Sequence, residues 1–442
     1  MSNHHDTPGP ADEQAVTLRG PAELADALPY ILGFRPTDSV VLVTLHGERA
    51  RFGGRLRLGI PGSPREWPAV ADQLAAYAVE AAQGRGSRPD GILVFLYQDP
   101  DGAGETGREV MERLRPFAQR LRTACGALDV PVVEALCVSG GRLWSYCCPD
   151  PRCCPPEGTE TVLPGTSVMA AAAAYAGLRV RGSLRDLERR ILPPGPEGTA
   201  AQARAFDTVG AAIVPEILGG GRAEVSTRTL GLARDLVRRL DGAEQAPPAT
   251  PGAEAAADAL DDGLISDEEA AAVVLGLQDR ETRDLAAGWT EEAGSPSALR
   301  LWRALARRCG GIYVEYAAAP LVLAGWAAWA TGDEPSARVA LGRALSVDPG
   351  CHLAHLLQEA CNQGLDLSAV RACFGAEPAA REPEGRRGVR AARRVVRRAG
   401  PRVPRQPGSV KALPSGAARP GGGAARGRMR RRGGRRDSGS ER

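Results

Sequence analysis

The stretch Ala27-Leu-Pro-Tyr-Ile-Leu-Gly-Phe-Arg-Pro-Thr-Asp-Ser-Val-Val-Leu-Val43 decides the fold of the first part of the chain. It predicts a short helix over 22–28 that stops at Pro29, then a turn, then a buried strand. Further apolar runs of strand length follow at 91–97 and 131–138, with helical patterns before each of them. This alternation predicts an α/β domain with a mixed or parallel sheet and flanking helices.

The chain of 442 residues is long enough for two or three domains, and its composition changes along its length. After residue 165 the pattern is helical, and from residue 376 Arg, Gly and Pro dominate, with too few apolar side chains to offset the entropy of ordering. We therefore predict a disordered segment at 1–15, an α/β domain at 16–165, an α-helical domain at 166–375 and a disordered basic tail at 376–442.

The helical part contains one segment that matches a tetratricopeptide-like hairpin. In the segment 321–349, small residues and a final proline stand where that repeat places them: Gly325, Ala337, Ala344 and Pro349. Small residues allow two antiparallel helices to approach closely. The hairpin favours a protein partner for the helical domain, although a peptide-binding superhelix needs several such copies.

Charge is distributed unevenly. The 56 basic residues comprise 55 Arg and the single Lys411, as expected of a GC-rich genome. The tail at 376–442 carries a net charge of +15, which leaves −12 on the rest of the chain. Such a tail predicts non-specific nucleic-acid binding through phosphate contacts, although it lacks aromatic residues for base stacking. The alternative is a solvated tail with no ligand.

The sharpest chemical signal is a cysteine loop, Cys147-Cys148-Pro-Asp-Pro-Arg-Cys153-Cys154, which directly follows a predicted strand. The pair Cys148 and Cys153 has a spacing used by zinc knuckles, so zinc is the cofactor that the loop suggests. Two adjacent cysteines seldom bind the same ion, however. Three interpretations stay open: a metal site formed by these four cysteines, a redox pair such as Cys148 with Cys153, and inert packing of small apolar side chains.

Three further residues are candidates for a site at the carboxyl edge of the sheet. Asp99 and Asp101 follow a buried strand, where ligands commonly bind in open α/β sheets, and His46 ends another strand. Two carboxylates there can hold Mg²⁺, and a histidine can act as a base or a ligand. The alternative is a plain turn for the Asp-Pro-Asp-Gly segment and a solvated His46.

Two motifs of the first half, ALPYILGFRPTDSVVLV and WSYCCPDPRCCPPEG, and the later hairpin together resemble an uncharacterised family common in actinobacteria. The resemblance extends from about residue 16 to residue 374. That family is described only as a domain of unknown function, so the resemblance implies no activity, substrate or cofactor. The chain departs from its relatives at Arg35, where they often have His, and at Gly59, where they have an acidic residue.

No assembled catalytic motif is visible in the sequence. We therefore expect a non-enzymatic regulatory or protein-interaction protein. A metal- or thiol-dependent enzyme or ligand-binding protein is the alternative, and weak nucleic-acid binding is a second one. The N-terminal residues are polar and the apolar stretches are short for a membrane span, so we expect a cytoplasmic protein with reduced cysteines.

Overall fold

The computed structural model describes residues 18, 20–102, 104–161, 165–195, 199–243, 253–289, 296–365, 367 and 370. The segments 1–15 and 376–442, which we expect to be disordered, lie outside the described residues. The strands are β1 (Ser39–His46), β2 (Arg51–Gly59), β3 (Gly91–Tyr97), β4 (Val132–Ser139), β5 (Arg142–Ser145) and β6 (Thr159–Glu160). The helices are α1 (Pro21–Leu32), α2 (Trp67–Gly84), α3 (Gly107–Ala127), α4 (Val168–Tyr175), α5 (Leu184–Arg189), α6 (Thr199–Leu218), α7 (Arg222–Asp241), α8 (Ala253–Gly263), α9 (Asp267–Gly276), α10 (Arg280–Trp289), α11 (Pro296–Arg308), the 3₁₀ helix η1 (Gly311–Ala317), α12 (Ala318–Ala330), α13 (Glu334–Val347) and α14 (His352–Asn362).

The first half of the chain forms a mixed sheet, which confirms the predicted fold class. In the described part of the chain its strand order is β2-β1-β3-β4-β5-β6. Strands β3 and β4 are parallel and are joined through α3, whereas each other neighbouring pair is antiparallel. Because β1 pairs antiparallel with β3, the carboxyl ends of these two strands lie at opposite edges of the sheet.

The central strands are buried on both faces, which explains their continuous apolar runs. Alternate residues of β1 and β3 point to α2 and α3 on one face; Val40, Leu42, Val94 and Leu96 belong to this set. The intervening residues pack on the other face with α1 and α5, as Val41, Val43 and Phe95 do. Successive side chains of each strand therefore alternate between two apolar layers, one on each face of the sheet.

The predicted stop of the first helix at Pro29 is wrong. Helix α1 continues through Pro29 to Leu32, and Gly33, with φ of +83°, ends it by donating its N–H to the Pro29 carbonyl. Only the proline's own hydrogen bond is lost, and the burial of Leu28 and Leu32 against the sheet keeps the last turn helical.

The second half of the described chain is helical, as predicted. Its hairpin of α12 and α13 places Gly325 directly against Leu341 and Ala337. The segment Gly311–Ala330 is long and apolar enough to cross a membrane by length and composition, but most of it is buried inside the fold. Helix α12 is buried along nearly its whole length and is a core helix here.

The buried carboxylate of Asp333 joins the hairpin to neighbouring segments through ion pairs with two arginines. Asp333, in the turn before α13, contacts Arg181 at 3.1 Å and Arg303 of α11 at 3.7 Å. Burial lowers the pKa of Arg303 to about 10, with the nearby Arg190 guanidinium adding to the effect. Asp333 also caps α13 by accepting a hydrogen bond from the Ser336 N–H. The carboxylate therefore fixes the hairpin turn in place.

Candidate metal centre

The cysteine loop spans residues 146–158 and connects β5 to β6. At its start, the Tyr146 N–H donates to the Ala135 carbonyl at 2.8 Å, and the buried Tyr146 hydroxyl donates to the Met111 carbonyl of α3 at 2.8 Å. Near its end, Trp144 donates its indole N–H to the Pro156 carbonyl at 3.1 Å. Both ends of the loop are therefore fixed to the sheet and to α3.

The loop bends at two oxygen atoms, each of which accepts two backbone N–H groups. Ser145 Oγ accepts the N–H groups of Cys147 and Cys148, at 3.0 and 2.9 Å, and donates to Glu134. The Asp150 carbonyl accepts the N–H groups of Cys153 and Cys154, at 3.1 and 2.8 Å. These two bends return the second cysteine pair toward the first.

Three thiols converge as a result. The Sγ atoms of Cys148, Cys153 and Cys154 all lie within 4.8 Å of one another, and we call these three residues the cysteine triplet. Cys153 is exposed, whereas Cys148 and Cys154 are half-buried. In a tetrahedral zinc–thiolate site with Zn–S bonds of about 2.3 Å, neighbouring sulfur atoms lie about 3.8 Å apart. The upper limit of 4.8 Å on the Sγ separations exceeds that spacing by about 1 Å.

Cys147 does not belong to the triplet. It is half-buried and packs against the apolar layer of α2 and α3. Burial raises the pKa of its thiol, and the Glu134 carboxylate raises it further. Of the four cysteines that the sequence suggests as metal ligands, three therefore converge, and Cys147 lies outside that group.

The three thiols of the triplet disfavour ionisation in one another. Burial, together with hydrogen bonds to Cys148 and Cys153, raises the pKa of the Cys154 thiol to about 12. Three thiolates this close repel one another, so they do not all ionise by themselves near neutral pH. A bound divalent metal reverses this preference because it deprotonates the thiols that coordinate it.

The profile of a family described as "Domain of unknown function (DUF4192)" matches residues 21–367. The chain belongs to this family. No curated protein and no solved structure matches it. The DUF4192 match covers the whole sheet, the cysteine loop and the helices through α14.

The other predicted site residues of this DUF4192 protein do not join the triplet. Leu45 pairs with Gly91, and Ser39 pairs with Tyr97, so His46 and Asp99 lie at opposite edges of the sheet, about 25–30 Å apart along the strands. The expectation that they share one edge is wrong because β1 runs antiparallel to β3. The cysteine loop also leaves the sheet beside Ala135, away from Asp99.

Each of these residues has a structural setting of its own. Asp99 accepts the Gly140 N–H at 2.8 Å and so ties the end of β3 to the β4–β5 turn, while Asp101 is exposed. His46 Nε2 lies 3.1 Å from the Thr44 hydroxyl, and His46 Nδ1 lies 3.2 Å from the Ser87 hydroxyl. Within the described ranges, the cysteine triplet is the group of His, Cys, Asp and Glu atoms that converges as a metal site does.

Arg35 and Gly59 lie outside the candidate site. Arg35 is exposed, and its backbone N–H donates to the Gly182 carbonyl; Gly59 pairs with Ser39 at the end of β2. Sequence reasoning missed the residues that shape the loop instead, namely Trp144, Ser145 and Tyr146. They form the WSY part of the loop's own motif, and an aromatic pair around a serine is the signal that identifies them.

Proposed function

We propose that this DUF4192 protein binds zinc through Cys148, Cys153 and Cys154. The observation that carries the proposal is the convergence of three Sγ atoms within 4.8 Å on a loop whose two ends are anchored by hydrogen bonds. Zinc prefers thiolate ligands in a tetrahedron, and three thiolates leave one position for water or another external ligand. A soft, thiol-only donor set disfavours Mg²⁺ and Ca²⁺, which take oxygen ligands.

The proposed role of the ion is to hold the loop in one conformation. Between the anchors at Tyr146 and Pro156, the loop residues are exposed or half-buried, and the hydrogen bonds within the loop are local ones made to Ser145 and Asp150. A metal that crosslinks Cys148 to Cys153 and Cys154 closes this segment and lowers the entropy of its open states. The loop then presents a fixed surface of Pro149, Pro151 and Arg152, which are exposed.

This exposed surface supports a regulatory or protein-interaction role, which is the function we expect from the sequence. The open fourth position on the ion supports the alternative, a metal-dependent enzyme. The tetratricopeptide-like hairpin supports the interaction role less directly, because α12 is buried and its inner face is part of the core. We also propose a cytoplasmic location, because a reducing compartment keeps thiols available as zinc ligands.

The test is elemental analysis of the full chain, purified without an affinity tag under reducing conditions and equilibrated with zinc. We expect about one zinc per chain, since the triplet forms one site. Cys148→Ser, Cys153→Ser and Cys154→Ser should each lose most of it. Cys147→Ser is the matched control, because it removes a neighbouring thiol outside the triplet, and it should keep its zinc.

Two results contradict the proposal. One is a wild-type chain that holds no zinc after equilibration although its thiols are reduced. The other is equal loss of zinc in Cys147→Ser and in the triplet variants. Circular dichroism of each variant separates loss of a ligand from loss of the fold.

A further inference from the structure

The cysteine triplet combines one exposed thiol with two sheltered ones, and this asymmetry has a chemical consequence. Cys153 is the accessible member, and the Sγ atoms of Cys148 and Cys154 lie within 4.8 Å of it. A reactive cysteine that is open to solvent beside a second thiol is the arrangement that forms a disulfide after oxidation.

Geometry selects the partner of Cys153. Cys154 follows it directly, and consecutive Cα atoms lie about 3.8 Å apart, below the roughly 4.4–6.8 Å that disulfides span. Cys148 is five residues away across a loop that the Asp150 carbonyl folds back on itself. Cys148 can therefore approach Cys153 without strain in the intervening peptide bond.

We infer that the triplet is a peroxide-sensitive zinc switch, in which Cys153 is oxidised, Cys148 forms a disulfide with it, and the ion is released. This inference rests on the proposed zinc site. It assigns different tasks to three ligands that serve zinc binding equally: Cys153 reacts, Cys148 resolves, and Cys154 alone remains as a thiol.

The step balances with hydrogen peroxide as the oxidant. The Cys153 sulfur attacks one peroxide oxygen, the O–O bond breaks, and hydroxide leaves, which gives a sulfenic acid on Cys153. The Cys148 sulfur then attacks the Cys153 sulfur, the S–O bond breaks, and a second hydroxide leaves. The two sulfurs lose two electrons and peroxide gains them. Two protons convert the two hydroxides to water: solvent supplies them when both sulfurs start as zinc-bound thiolates, and the two thiols supply them in the metal-free protein.

Zinc release follows from the ligand count. The disulfide removes two of the three thiolates, and Cys154 with water does not hold zinc tightly. Reduction of the disulfide by a dithiol restores both thiolates and the site. The loop anchors at Tyr146 and Pro156 contain no thiol, so they stay in place through the cycle.

The experiment treats the zinc-loaded full chain with stoichiometric hydrogen peroxide. Zinc release is followed with a chromogenic chelator, and disulfides are mapped by mass spectrometry of non-reduced peptides. We expect loss of the bound zinc together with a Cys148–Cys153 disulfide, and recovery of both after dithiothreitol and added zinc. Cys147→Ser should behave as the wild type does.

Two variants are examined in the metal-free form. Cys154→Ser should still form the Cys148–Cys153 disulfide, whereas Cys148→Ser should accumulate sulfinic acid at Cys153 with no disulfide inside the chain. Zinc that stays bound after peroxide, zinc release without this disulfide, or a different pairing overturns the inference. The zinc content before oxidation tests the proposed zinc site by itself. The disulfide map of the metal-free protein tests the reaction between Cys153 and Cys148 whether or not zinc binds.

Discussion

Gly158 shows how a single residue holds the cysteine loop against the sheet. Its φ is +78°, and a Cβ built on it would lie 2.5 Å from the ring of Trp144. That indole is buried and donates to the Pro156 carbonyl, so it cannot move without breaking the loop's second anchor. The position thus requires glycine for both its backbone conformation and its lack of a side chain.

We predict that Gly158→Ala lowers the free energy of unfolding by about 2–4 kcal/mol, from backbone strain and overpacking together. Urea denaturation measures the change. Gly165→Ala is the control, since Gly165 has a similar φ of +84° but no atom lies within 4 Å of its added Cβ. Gly165→Ala should cost only about 1–2 kcal/mol. Equal losses in the two variants would contradict the role of the Trp144 contact.

At the same scale, the sequence predicts which residue types form the candidate site but not which members are used. The spacing of Cys148 and Cys153 indicates a metal or redox pair. The exclusion of Cys147 depends on Ser145, whose hydroxyl accepts two successive N–H groups and turns the chain there. The flanking Trp144 and Tyr146 mark this serine as part of a motif, but a single sequence does not show that its hydroxyl accepts two N–H groups, because serine serves many turns.

The hairpin of α12 and α13 illustrates packing at the scale of elements. A Cβ added at Gly325 would lie 2.6 Å from Leu341 Cγ and 3.3 Å from the Ala337 carbonyl oxygen. We predict that Gly325→Ala separates the helices and lowers the free energy of unfolding by about 1–3 kcal/mol. Thermal unfolding followed by circular dichroism at 222 nm measures the effect.

A second glycine in the same hairpin provides a control, because we expect its replacement by alanine to change the free energy of unfolding in the opposite direction. Gly342 lies inside α13, and no atom lies within 4 Å of its added Cβ. Gly342→Ala should raise the free energy of unfolding by about 0.5–1 kcal/mol, because alanine favours the helix. A destabilised Gly342→Ala would show that helix propensity does not explain the pair of variants.

At the scale of elements, local sequence patterns predict individual strands and helices better than they predict the direction in which neighbouring strands pair. The apolar runs of β1 and β3 and the small residues Gly325 and Ala337 of the helical hairpin are each visible in the sequence, and the structure contains both features. Strand direction is not visible, because a strand buried on both faces has the same pattern in parallel and antiparallel sheets. The shared edge expected for His46 and Asp99 depended on that direction.

At the scale of the whole molecule, the sheet and the helical half share their cores. Leu184 and Leu187 of α5 belong to the apolar layer of β1 and β3, and Val339 of α13 packs against the same layer. Helix α5 follows a helical pattern like those after it, and nothing in its sequence distinguishes a helix that covers the sheet. Tertiary contacts therefore decide which layer each helix joins.

Charge is the other property of the whole chain that carries a prediction. Residues 376–442 hold 20 basic and five acidic side chains, against a net charge of −12 on the rest. Arginines in such a segment contact phosphates and release the counterions of nucleic acid, so binding should weaken steeply with salt. We predict weak, sequence-independent binding of the full chain to duplex DNA and to single-stranded RNA at low salt.

Fluorescence anisotropy at several salt concentrations measures this binding. Six to ten phosphate contacts would reduce the affinity by about 10³–10⁵-fold between 50 and 200 mM salt. Deletion of 376–442 should abolish binding, and replacing the six arginines of the run at 428–436 by glutamine should lower the salt dependence in proportion to the charges removed. Binding that survives the deletion would place the nucleic-acid contact on the acidic body, where the overall charge disfavours it, and would contradict a role for the tail.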